Sequence, residues 1–375
     1  MPFREKLSTL WANVQFKLFP DLEERVGLLL EEHKRIVAIL ELIRIEEFLP
    51  CTRFNFGRPV KDRIQISRAF VAKIILKISY NKALVSLLKK DEKLRTICGW
   101  EHPGEVPSES KFCRAFKEFS ETNLPEKVHQ ALVSAMYKDR IIGHVVKDST
   151  PINAREAPLK KKGNMKDRKK LLNKQQAKDK RNGESRKQKQ LTQNLKTSLN
   201  ELPIHCDTGS KKMANGFLTI WKGYKFHVAI DDHCIPLAAI LSSASLNDSE
   251  VAIPLAIKSD LVAKNFYDLM DSAYNSPEIK EHSYSLGHVP IIDERPRNPA
   301  QKEEKKAERK RKSILNAYTA EDIRYRERGP KERFNALFKD YYGGRNIWYR
   351  GHSKISCHLM FGVLALTAVS LLNFI

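Results

Sequence analysis

The sequence predicts an α+β protein with α/β alternation in its second half: a helical N-terminal domain over residues 1–140, then a mixed sheet flanked by helices over 141–375. Three observations predict it. Before residue 140 the apolar residues recur at helical spacing, as in Leu28 to Leu30, Ile36, Ile39, Leu40 and Ile43. From Ile141 onward, short strand-like apolar runs appear and then alternate with helical stretches. The last 21 residues, Ile355 to Ile375, carry no charge.

The N-terminal elements follow in order. Ser67 to Ile78 reads as an apolar helix and Asn81 to Cys98 as another. Pro107 to Phe116 looks like a helix start that Ser108 caps, with Lys111, Arg114 and Lys117 on an exposed face. A basic second helix after a turn is one way to read DNA, which makes Lys111 and Arg114 candidate sequence-reading residues. An ordinary helical bundle with surface lysines gives the same pattern.

Ile141 to Lys147 is the first strand candidate, with Asp148 at its end. A basic insert follows at about 151–200, poor in large apolar residues and so unable to bury much by itself. Gly223 to Ile230 and Ile235 to Leu241 read as a hairpin around Asp231-Asp232. A helix opens at Asn247 to Glu250, and Asn265 to Met270 is a short strand ending at Asp271. Another helix and the strand His288 to Ile292 precede a second basic stretch, Lys302 to Lys312, and an amphipathic segment opened by Glu332. For the charge-free C-terminus, His358, Thr367, Ser370 and Asn373 dilute a membrane span, so a buried terminal helix against a sheet is expected.

Charge narrows the function. There are 67 Lys and Arg against 45 Asp and Glu, a net of +22, which points to a polyanionic partner. Leu159 to Gln190 alone holds 14 Lys and Arg against 3 Asp and Glu, net +11. The six cysteines form no C-x-x-C pair, and the neighbours His205-Cys206, His233-Cys234 and Cys357-His358 make poor chelates, so no zinc site is expected. Asp21, Glu23 and Glu24 interrupt the early apolar residues, so the expectation is a cytoplasmic, nucleoid-associated protein with reduced cysteines.

Three carboxylates stand where metal ligands would be placed: Asp148 and Asp271 after apolar runs, and Glu332 on a helix. Hard oxygen ligands suit magnesium, and a pair of such ions promotes in-line displacement at a phosphodiester. Tyr325, Arg328, Glu332 and Lys339 are spaced by three, four and seven residues, so a helix puts them along one face. Gly329-Pro330 interrupts that helix, which makes Tyr325 and Arg328 part of a preceding segment. Asp268 rivals Asp271 as the second acid. Singly, each acid also reads as a helix cap or a dipole partner.

These pieces resemble the DDE transposases of bacterial insertion sequences, with an RNase-H-like catalytic core. The matching segments are Lys147 to Thr150, Trp221 to His227, Asp271 to Tyr274 and the signature Y-x2-R-x3-E-x6-K from Tyr325 to Lys339. The resemblance covers residues 140–375, and the N-terminal part is similar to the helical domain that precedes this core in relatives. It implies that Asp148, Asp271 and Glu332 bind two Mg²⁺ ions, with Mn²⁺ able to substitute, and that Tyr325, Arg328 and Lys339 serve DNA phosphates. It also implies DNA as partner, at the transposon ends and the target, and a homodimer or larger assembly in the active complex. It favours Asp271, because Tyr274 follows at the family spacing. The 61 residues from Asp271 to Glu332 leave no room for the all-β insertion domain of some relatives, which argues against a hairpin intermediate. The other readings are a nuclease of the same core without strand transfer and a catalytically inactive DNA-binding remnant.

Overall fold

The structure is a computed structural model, and it describes residues 3–49, 62–138, 140–158, 185–212, 216–294, 296, 298–345 and 347–373. Most of the basic insert therefore lies outside the described residues. The chain forms two compact units, one of residues 1–138, 153–156 and 335–375, the other of 139–152 and 157–334.

The first unit is helical: α1 (Phe3–Asn13), α2 (Phe19–Val26), α3 (Glu31–Ile43), α4 (Arg63–Ile75), α5 (Asn81–Lys90), α6 (Glu92–Cys98), α7 (Glu109–Glu121) and α8 (Leu124–Tyr137). The helix expected over 81–98 is two helices. Asp91 adopts an extended backbone and its carboxylate accepts from Leu94 N, so it ends one helix and caps the next. Ser108 does occupy the N-cap position of α7, but its hydroxyl meets Ser110 Oγ at 3.1 Å instead of capping. Lys111, Arg114 and Lys117 are exposed, while Phe112, Phe116 and Phe119 turn inward to pack around Phe70.

The second unit is built on one mixed sheet. Its strands are β1 (Ile141–Asn153), β2 (Asp207–Lys212), β3 (Leu218–Ile230), β4 (Pro236–Ser243), β5 (Lys264–Met270) and β6 (Val289–Ile292). The order is β2-β3-β1-β5-β6, with β4 also paired to β3. The first half of β3 runs antiparallel to β2 and its second half antiparallel to β4. The β3–β4 turn is held by the Asp231 carboxylate, which accepts from the backbone N–H groups of His233 and Ile235. β1, β5 and β6 are parallel. Helices α9 (Arg186–Thr192), α10 (Leu195–Asn200), α11 (Ala252–Asp260), α12 (Pro277–Ser285), α13 (Pro299–Leu315) and α14 (Ala320–Arg326) flank this sheet in the sequence. The end of the basic insert is thus helical, and Gln190 is buried with its amide donating to Glu250 O. This α+β arrangement after a helical N-terminus is that of an RNase-H-like domain.

The chain then runs through α15 (Gly329–Tyr341) to α16 (His352–Leu372). The buried terminal helix is present, but it packs on α3, α4, α7 and α8, not on a sheet. It is long and apolar enough to cross a membrane, yet 78% of its apolar window is buried within the protein. Gly362 lets it approach closely, since a Cβ there would stand 2.1 Å from Tyr342 O.

Candidate active site

The parallel pairing of β1 with β5 is what places the acids. Ile141 pairs with Lys264 and Val146 with Leu269, an offset of 123 (264 − 141). The same offset carries Asp148 to Asp271, one step beyond the end of β5. Register partners in a parallel pair share a face, so the two aspartates stand side by side on neighbouring central strands, Asp271 just past the end of β5. Asp148 does not end its strand, because β1 continues to Asn153.

The face they share is the one on which Val146, Leu269 and Ile291 pack with Tyr267 and Tyr325. Burial pushes the Asp148 carboxyl above the ordinary carboxylate range, the neighbouring Asp271 adds to that, and Lys331 and Arg328 oppose it. Lys331 Nζ lies 3.9 Å from Asp148 Oδ1. Asp271 caps the turn Ser272–Tyr274 by accepting from Ala273 N at 2.9 Å, and it makes no ion pair among the described residues.

Asp268, the rival for the second acid, lies on the opposite face. Its carboxylate is fully buried, 2.8 Å from Lys147 Nζ and 2.8 Å from Ser283 Oγ, and it also accepts from Asn265 Nδ2. His288 Nδ1 stands 3.4 Å away. Burial alone would raise this carboxyl, but Lys147 and His288 outweigh it and hold it far below the ordinary range. Its oxygens are turned inward to these groups.

Tyr325 closes α14 and is half-buried. Its hydroxyl accepts from Arg328 Nη1, and the Arg328 guanidinium also sits 4.7 Å from its ring centroid. Arg328 Nε and Nη2 are buried with no hydrogen-bond partner, two donor nitrogens of the guanidinium fork left open. Glu332 lies in the first turn of α15 and is exposed. Among the described residues no three His, Cys, Asp or Glu side chains gather closely enough to hold a metal ion, so Glu332 is not gathered with Asp148 and Asp271. Lys339 is half-buried further along the same helix, in the stretch that belongs to the first unit.

Sequence reasoning missed several groups. Lys331 adjoins Glu332 but faces Asp148, a matter of helix rotation that spacing does not reveal. Asp248 accepts from Ser149 Oγ and from Lys225 Nζ, each at 2.9 Å, tying the residue after Asp148 to β3 and to the loop before α11. The hydrophilic residues inside the apolar runs, Lys225 and Lys147, were the available signal.

A family model described as a transposase DDE domain matches residues 142–368, more than half of the chain. No curated protein and no solved structure gives a match. By this match over more than half of its length the chain belongs to the DDE transposases, DNA-cleaving enzymes of transposition that use divalent metal ions.

Proposed function

We propose that this transposase binds the terminal inverted repeats of its element, hydrolyses a phosphodiester to free a 3′-OH, and directs that hydroxyl at target DNA. The observation that carries the reading is the 123-residue register that sets Asp148 beside Asp271, with the unpaired N–H groups of Arg328 acting on the same centre.

The residues fit a pair of divalent cations in part. Asp148 and Asp271 supply adjacent hard oxygen donors, and the charge they place on one another is what a cation would relieve. Glu332, exposed at the start of α15, completes the set by a local movement of that turn. Two Mg²⁺ ions, or Mn²⁺ in their place, would polarise the phosphate, activate the attacking water or 3′-OH and stabilise the leaving oxygen. Arg328 holds a phosphate oxygen with Nε and Nη2 and is itself oriented by Tyr325. Lys331 balances the Asp148 charge. Lys339 contacts phosphate near the transposon end.

Residues 1 to about 140 read the ends, with Lys111 and Arg114 as sequence-reading side chains, and the insert between Lys160 and Lys189 binds backbone without reading sequence. The active complex is a homodimer or larger. Neutralising several of the insert lysines is expected to flatten the fall of affinity with salt. An unchanged slope removes the insert from the interface.

The test is incubation of the protein in Mg²⁺ with DNA carrying the inverted repeats that flank its reading frame. The expected products are a free 3′-OH at the element end and a joined strand. Cleavage without joining would make it a nuclease of the same core, and no cleavage in any divalent cation would make it an inactive DNA-binding protein.

A further inference from the structure

The first half of β3 runs past β4, whose pairing begins at Tyr224, and pairs with the edge strand β2 from Asp207–Gly223 to Lys212–Leu218. Side chains alternate between the two faces of this ribbon. Gly209 and Trp221 are partners on one face. Trp221 is buried, its Nε1 donates to Tyr224 O at 3.0 Å, and a Cβ at Gly209 would stand 2.4 Å from its ring. The indole locks the base of the ribbon, which two strands in water need in order to hold their shape. The other face carries Leu218 and Ile220, 60% and 62% exposed, with Ser210 paired to Ile220 and the exposed Lys222 beside them. Phe217, next to Leu218, is exposed too. Single exposed apolar side chains need no explanation, but a group of them on one ribbon marks a binding surface.

Charge chooses the partner. Lys211 and Lys222 are exposed on the ribbon, and its one acid, Asp207, is buried at the base and bonded by Ser245 Oγ. Lysine on an edge strand works against pairing with another edge, and two such ribbons would bring like charges together. Duplex DNA suits both features, since its phosphates attract the lysines and its base steps admit apolar wedges.

Position agrees. The Asp232 carboxylate, in the turn that follows β3, accepts from His144 N near the start of β1. β3 therefore ends where β1 starts, and the ribbon projects at the other end, where β1 runs on past Asp148. Lys225 and Ser149 both bond Asp248, which sets Lys225 near the level of the acidic pair. Ile220 and Leu218 lie five (225 − 220) and seven (225 − 218) residues back along the strand, about 17 and 24 Å at roughly 3.4 Å per residue. That span is about five to seven base pairs of duplex.

We propose that the β2–β3 ribbon is a DNA wedge: Leu218 and Ile220 enter the minor groove beside the cleaved position and unstack a base step, with Lys211 and Lys222 on the adjoining phosphates. The inference rests on the transposase reading given above, which supplies the bound duplex.

The test uses the full chain and the double variant Leu218→Thr, Ile220→Thr. Threonine keeps strand preference at two exposed positions, so the fold is retained. The probe is a duplex carrying the inverted repeat, with 2-aminopurine at successive positions within about seven base pairs of the scissile phosphate. Its fluorescence reports unstacking and its anisotropy reports binding, both without divalent cation. The expected result is a rise in fluorescence at one step with the wild type, and loss of that rise with the double variant while the duplex stays bound. A rise that the variant keeps overturns the proposal, as does a wild-type complex with every step stacked. A variant that loses self-association in ultracentrifugation and leaves the DNA signal unchanged overturns it too, and assigns the face to a second copy of the chain. The two levels separate by binding. A wild type that does not bind the duplex fails the transposase reading and the wedge with it, whereas failure of the wedge alone leaves binding, and cleavage in Mg²⁺, in place.

Discussion

Two Lys–Asp pairs lie on opposite faces of β1, one formed with β5 and the other with the start of α15, and they behave oppositely. Lys147 and Asp268 are 2.8 Å apart, with side chains 1% and 0% exposed. Lys331 and Asp148 are 3.9 Å apart, with 17% and 18% exposed. The first aspartate is hydrogen-bonded by three further groups or faced by them, and its carboxyl is held far below the ordinary range. The second is pushed above it by burial and by a neighbouring acid. A closed pair inside the sheet supports the fold. An open pair, partly solvated and beside a second acid, holds charge that its lysine does not fully offset, which is the electrostatic character of a site of chemistry.

The largest expected effect breaks the closed pair. Asp268→Ala leaves Lys147 buried without its counter-charge and should cost about 3–5 kcal/mol in urea unfolding. A loss below about 1 kcal/mol would mean that the cluster is not the support described here.

pH sharpens the contrast, because the two carboxyls have opposite signs. Asp268 titrates lower in the folded chain than the value of about 3.9 in the unfolded one. Its stabilisation is present above that value and disappears as pH falls through the folded pKa. Asp148 titrates higher when folded, so its contribution is favourable below about 3.9 and is lost as pH rises through the folded pKa. Asp148→Asn should therefore gain on the wild type as pH rises from 3 to 7, and Asp268→Asn should fall behind it over the same range. Parallel stability–pH curves for the two variants would contradict the assignment.

The smallest effect is at Lys331. The pair is partly solvated, so Lys331→Met should change stability by less than about 1 kcal/mol, while the decline of stability with rising pH steepens because Asp148 loses its opposing charge. A flatter pH dependence would show that Lys331 does not act on Asp148.

Much of this was legible in the chain. Apolar runs ending in aspartate marked β1 and β5, and the hairpin of β3 and β4 was readable from its alternation and the Asp231 turn. What escaped was decided by tertiary geometry. α16 is apolar all round, so no stripe tells whether a sheet or helices will cover it. Asp91 ends a helix through its own carboxylate, which competes with an otherwise continuous pattern. The choice between Asp268 and Asp271 was argued from resemblance and is supported by register, a relation between strands 123 positions apart. Lys331 faces Asp148, a relation between β1 and the start of α15 that no spacing within either segment states.

The central claim is that Asp271 is the working acid and Asp268 the structural one. The most direct measurement is strand cleavage of inverted-repeat DNA in Mg²⁺ by Asp271→Asn, with its unfolding curve taken on the same preparation. The account predicts wild-type stability within about 1 kcal/mol and cleavage reduced by at least about 100-fold. An Asp271→Asn protein that cleaves at the wild-type rate would contradict it.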